Sequence, residues 1–96
     1  LADRISKSPA VYKEKPFNLL MEHEGKRIVV QGIIDCYFEE DDYLVLVDYK
    51  TGKGKEARHR YSLQINLYKR ALETATDKKV NEAYLYMTDS AEIIKM

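Results

Sequence analysis

The stretch RIVVQGIIDCYFEEDDYLVLVDYK, residues 27–50, decides the fold. Arg27 to Phe38 is rich in Ile and Val and predicts a strand. Glu39 to Asp42 is an acidic turn, and Tyr43 to Lys50 predicts a second strand. Its run Leu44-Val45-Leu46-Val47 is apolar on both faces, which places it centrally in a sheet. Downstream, Thr51 to Glu56 holds two glycines and two lysines and reads as a loop. From Ala57 to Thr76 the apolar spacing is helical, with Tyr61, Gln64, Ile65, Tyr68, Ala71, Leu72 and Ala75 on one face. Val80 to Thr88 alternates as a strand, and Ile93-Ile94 begins a last edge strand. Upstream, Pro16 to Glu22 is a short strand with Phe17, Leu19 and Met21 on one face, followed by a turn at Glu24-Gly25. Leu1 to Lys7 is the end of a short helix, stopped by Pro9. The order predicts an α/β fold: a mixed sheet of four to five strands with one helix packed against it.

Size and composition narrow the function. Ninety-six residues make one domain at most, with no room for a separate ATPase or dinucleotide domain. Sixteen basic residues balance sixteen acidic ones, so contact with a polyanion has to come from a local patch. One third of the chain is charged and 45% is apolar, the balance of a folded domain. No apolar run approaches the roughly 20 residues of a membrane span, and no signal-peptide pattern opens the chain. A single cysteine, Cys36, excludes an internal disulfide, a four-Cys zinc site and a Cys-ligated iron–sulfur cluster within one chain. It fits a reducing cytoplasm. The first residue is Leu1, which reads as a piece cut from a larger protein.

Three charged residues interrupt the two most apolar strands: Asp35, Asp48 and Lys50. An ionised side chain there is costly unless it is paired or holds a metal. Asp48 and Lys50 are two apart on a strand and share a face. A two-residue hairpin at Asp41-Asp42 sets Asp35 opposite Asp48, with Cβ atoms about 4.5–5.5 Å apart. Two carboxylates that close repel unless a cation stands between them. Oxygen ligands suit Mg²⁺ or Mn²⁺ rather than zinc. A lysine beside them can offset developing negative charge or position an attacking water, which suits metal-assisted hydrolysis of a phosphodiester. The plainer reading is a structural Asp–Lys ion pair at strand ends, and a register slip of one residue breaks the convergence.

Gly32-Ile33-Ile34-Asp35, then Asp48-Tyr49-Lys50-Thr51, then Gln64 with Tyr68, resembles the RecB-like branch of the PD-(D/E)XK nuclease superfamily. Glu14-Lys15-Pro16-Phe17 is similar to the AddA type, the C-terminal nuclease domains of bacterial helicase–nucleases. The resemblance spans roughly residues 8–88 and implies a restriction-endonuclease-like fold. It implies that Asp35 and Asp48 hold the metal, that the backbone carbonyl of Tyr49 is a further ligand, and that Lys50 is catalytic. It places Gln64 and Tyr68 in a helix motif beside the site. It further implies DNA cutting with Mg²⁺ (Mn²⁺ as an alternative), a helicase motor that feeds strands to the nuclease, an AddB-like partner protein, and a role in double-strand break repair. It departs from that branch in one respect: the metal-ligand histidine expected from a helix before the first strand has no match, since His23 falls in a turn and His59 at a helix start. Residues 1–96 are therefore expected to form one partial nuclease domain with an incomplete metal site. The alternative of another class is a non-catalytic module that binds DNA or another protein of the complex. A phage-type exonuclease is a third reading, against which Glu14–Phe17 argues.

The remaining candidates are weaker. Lys53, Lys55, Arg58 and Arg60 could hold a DNA phosphate near the site or form a solvated loop. Gln31 shares parity with Asp35 but reads as an ordinary polar strand residue. Glu14 reads equally as a group near the metal and as a solvent-facing acid. Gly32 permits close packing. Cys36 reads as a small buried residue, and Glu39–Asp42 as a hairpin tip rather than a calcium loop.

Overall fold

The computed structural model describes residues 1–52 and 55–96. Its elements are α1 (Ala2–Lys7), β1 (Val11–His23), β2 (Lys26–Glu40), β3 (Tyr43–Lys50), α2 (Ala57–Thr76), β4 (Val80–Met87) and β5 (Glu92–Lys95). The strands form one sheet in the order β1-β2-β3-β4-β5. The first three run as an antiparallel meander. Helix α2 then carries the chain over so that β4 lies parallel to β3, and β5 returns antiparallel to β4. This is the mixed α/β sheet with a packed helix that the alternation of elements predicts.

The register follows from the turn chemistry. Glu40 pairs with Tyr43 across Asp41-Asp42, and Asp41 takes the left-handed φ of 56° that a two-residue hairpin demands. β3 is the central strand: Leu44, Val45, Leu46 and Val47 are at most 1% exposed. On one face Leu44 and Leu46 pack with Ile34, Ile65, Tyr68, Leu72 and Leu85 beneath α2. On the other, Val45 and Val47 pack with Cys36 and Phe38, covered in part by Leu1 and Ile5 of the α1 region. Cys36 is indeed buried apolar filling.

Three differences from the sequence reading matter. β1 begins at Val11 rather than Pro16, because charged Lys13-Glu14-Lys15 hides its alternation. Ala75 is exposed, since the buried stripe of α2 ends at Leu72. Lastly, β2 does not keep strict alternation. Ile34 and Tyr37, three residues apart, both join the core beneath α2. A regular pleat sends such residues to opposite faces, so the strand is irregular between them, which is where Asp35 lies.

Candidate active site

That irregularity positions the first carboxylate. The β1–β2 ladder runs from Lys13↔Cys36 to Lys15↔Ile34 and omits Glu14 and Asp35. The β2–β3 ladder stops at Cys36↔Val47, one step short of Asp35 and Asp48. Glu14 has a φ of 51°. A residue left unpaired in a left-handed conformation is the mark of a bulge, which bends the ribbon and re-aims neighbouring groups. Asp35 belongs to neither ladder. Its Oδ2 instead accepts a hydrogen bond of 2.9 Å from the Tyr49 backbone N–H, so the carboxylate crosses to β3 where the strands part. Parity predicts facing residues in a regular ladder; the bulge brings Asp35 to β3 by its side chain instead.

Asp48 is the one buried charged residue among those described, at 2% exposure. Burial pushes its carboxyl up to about 6, a hydrogen bond with Asp35 adds to the rise, and Lys50 opposes it. Lys50 Nζ stands 3.1 Å from Asp48 Oδ2. That contact is an ion pair with poor hydrogen-bond alignment, for Oδ2 accepts no aligned hydrogen bond. A buried carboxylate oxygen without a donor is costly unless something else is meant to occupy it.

Helix α2 roofs these groups. Gln64 Nε2 donates to the Tyr68 hydroxyl at 2.9 Å. Burial raises the Tyr68 hydroxyl, with the Asp48 charge the next cause, which fixes Tyr68 close to the acids. The Phe17 ring meets Tyr68 edge-on at 5.3 Å. Gly32 makes this possible, because a Cβ there would lie 2.8 Å from Phe17 Cε1. Gly32 is therefore the close-packing residue the sequence indicates.

Other predicted residues fall as follows. The Tyr49 side chain lies edge-on to Tyr86, and the backbone group it offers Asp35 is its N–H. Glu14, Lys13, Asp35 and Tyr49 line an open recess of about 350 Å³; the left-handed turn at Glu14 that shapes it has no sequence signal beyond a charged triplet before Pro16. Lys55, Arg58 and Arg60 are exposed. Lys53 lies outside the described residues. Gln31 is exposed opposite Asn18, away from the site. His23 is exposed in its turn beside Glu24, and His59 is exposed on the first turn of α2. Among the described residues no group of three His, Cys, Asp or Glu side chains is placed to hold a metal. Sequence reasoning missed the approach of Lys50 to the Tyr61 ring, 4.9 Å from Nζ to the centroid.

A buried acid, a second acid joined to the same strand, and a lysine on a parallel-sheet strand under a helix define a class of metal-dependent phosphodiesterases. The family model of the PD-(D/E)XK nuclease superfamily matches residues 2–96, and the chain belongs to that superfamily. It is 40% identical, over its whole length, to an ATP-dependent helicase/nuclease of the AddA type from Ruminiclostridium cellulolyticum. It is 43% identical, over 99% of its length, to the protein of that name from Thermoanaerobacter sp.. With the one from Acetivibrio thermocellus it shares 43% identity over 91%. The chain spans about 9% of the length of the first two relatives.

Proposed function

We propose that this chain is the nuclease module, taken from the C-terminal part, of an AddA-type ATP-dependent helicase–nuclease, and that it hydrolyses DNA phosphodiesters with Mg²⁺ or Mn²⁺. The observation that carries the reading is Asp48: 2% exposed, with an oxygen that no donor satisfies. A divalent ion is the partner such an oxygen fits. Asp48 and Asp35 would hold it, with the Tyr49 carbonyl as a further ligand, and when bound it supplies Lewis-acid stabilisation of the phosphate and an activated water.

The chain's own residues do the rest. Asp35 is oriented by the Tyr49 N–H. Lys50, 3.1 Å from Asp48, presents its ammonium where charge builds on the phosphate oxygens. Tyr68, held by Gln64, closes the site on the helix side and contacts the DNA. Lys55, Arg58 and Arg60 are exposed at the entry to α2, with Lys53 adjoining in sequence. The first turn of α2 carries no acid, and basic residues there oppose the helix dipole. That cost makes sense if the patch meets DNA phosphates. The parent protein would be cytoplasmic, pair with an AddB-like protein and act in double-strand break repair. No helix among the described residues is long and apolar enough to cross a membrane.

The test is digestion of single-stranded DNA with Mn²⁺. The chain should shorten the strand, and D48N and K50A should not. A second reading, a binding module with the same fold, is favoured by the two-carboxylate site among the described residues. It predicts that the chain retards DNA without cutting it, and that D48N leaves the retardation unchanged.

A further inference from the structure

Lys50 is held from two sides. Asp48 Oδ2 lies 3.1 Å from its ammonium, and the Tyr61 ring centroid lies 4.9 Å from the same atom. Tyr61 is half-buried and packs against the core beneath α2. It precedes Gln64 by three residues and Tyr68 by seven, so all three share one helical face over the site. A lysine stem has four rotatable carbons and much rotamer freedom to lose. The aspartate alone is a weak clamp: its contact is poorly aligned, and its charge is also what attracts a cation. An aromatic face attracts an ammonium whether or not that carboxylate is engaged elsewhere.

We propose that Tyr61 is a positioning residue for Lys50, its ring fixing the ammonium over the site through a cation–π contact. This rests on the reading of Lys50 as catalytic. The ring carries the role, and the phenolic hydroxyl does not. Phenylalanine therefore preserves the function, whereas leucine, which fills similar space, removes it.

The experiment compares the intact chain with Y61F and Y61L by two readouts. In proton NMR the Lys50 ε-methylene signal should lie upfield of the other lysines from ring current, in the wild type and Y61F alike, and move to the ordinary lysine position in Y61L. In Mn²⁺-dependent digestion of single-stranded DNA, Y61L should lower kcat roughly three- to thirtyfold at unchanged KM, the range such a contact supplies. Y61F should keep the wild-type kcat. An ordinary Lys50 shift in the wild type, or equal losses of kcat in Y61F and Y61L, overturns the proposal. K50A serves as the control: unchanged digestion in K50A defeats the nuclease reading instead, and the NMR comparison still decides whether Tyr61 holds Lys50.

Discussion

Two clusters on this sheet have the same charge count and opposite behaviour. At the β2–β3 turn, Arg4 of α1 joins Glu40 and Glu82: Nε and Nη2 donate to Glu40 at 2.9 and 2.7 Å, and Nη2 also donates to Glu82 at 2.7 Å. The Tyr43 hydroxyl donates to Glu40 at 2.8 Å, and Tyr84 donates to Glu82. Near the far end of β3, Lys50 faces Asp48 and Asp35. Each cluster has one cation and two carboxylates. In the first, the acids are part-exposed and every oxygen has a donor, so hydrogen bonds from Arg4 and Tyr43 hold Glu40 down to about 2 and Glu82 is also lowered. In the second, burial outweighs pairing and Asp48 rises to about 6. Charge alone does not separate a structural clasp from a functional site; donor supply and burial do.

Breaking the comparison at Asp48 should give the largest effect. Its ordinary value is 3.8 and the fold raises it, so the folded chain binds that proton more tightly than the unfolded one. Stability from this group is full below about pH 4 and is lost as the pH rises through about 6. D48N removes the buried charge, and the metal-free variant should be more stable than wild type at pH 8, on the order of 1–3 kcal/mol. Denaturant melts across pH 4–8 check this; parallel curves for the two proteins would contradict it.

Next in size is G32A. The added methyl meets the Phe17 ring at 2.8 Å and presses it toward Tyr68. A loss of about 1–2 kcal/mol is expected from overpacking, read as a lower melting midpoint. An unchanged midpoint would mean the helix wall of the site yields freely.

The smallest effect falls on the clasp. R4A should lower stability by about 1 kcal/mol, a value reduced by its solvent exposure. Because the fold lowers Glu40 and Glu82, their contribution is present above the ordinary 4.5 and is lost as the pH falls toward about 2. R4A should flatten that acid limb and leave DNA digestion at neutral pH unchanged. Lost digestion in a folded R4A would show that the two clusters are coupled.

Much of this is legible in the residues. Turn residues Asp41-Asp42 and the doubly apolar run Leu44–Val47 set the hairpin and the central strand, because short-range chemistry decides both. Both ends of α2 follow from period alone. The pairing of Asp48 with Lys50 follows from the two-residue period of a strand. What escapes is tertiary. The bulge at Glu14 and Asp35 depends on where three strands part company, and no residue there has a strong left-handed preference. The approach of Tyr61 to Lys50 depends on where α2 sits over β3, which periodicity does not specify. The Arg4 clasp joins residues far apart in the chain, 36 and 78 positions away, and no spacing announces it.

The central claim is that Asp35 and Asp48 share a divalent ion, and calorimetric titration of Mn²⁺ into the chain tests it most directly. The account predicts heat of binding in the wild type and in E40Q, and its loss in both D35N and D48N. Heat that survives in D48N, or no heat in the wild type, would contradict it.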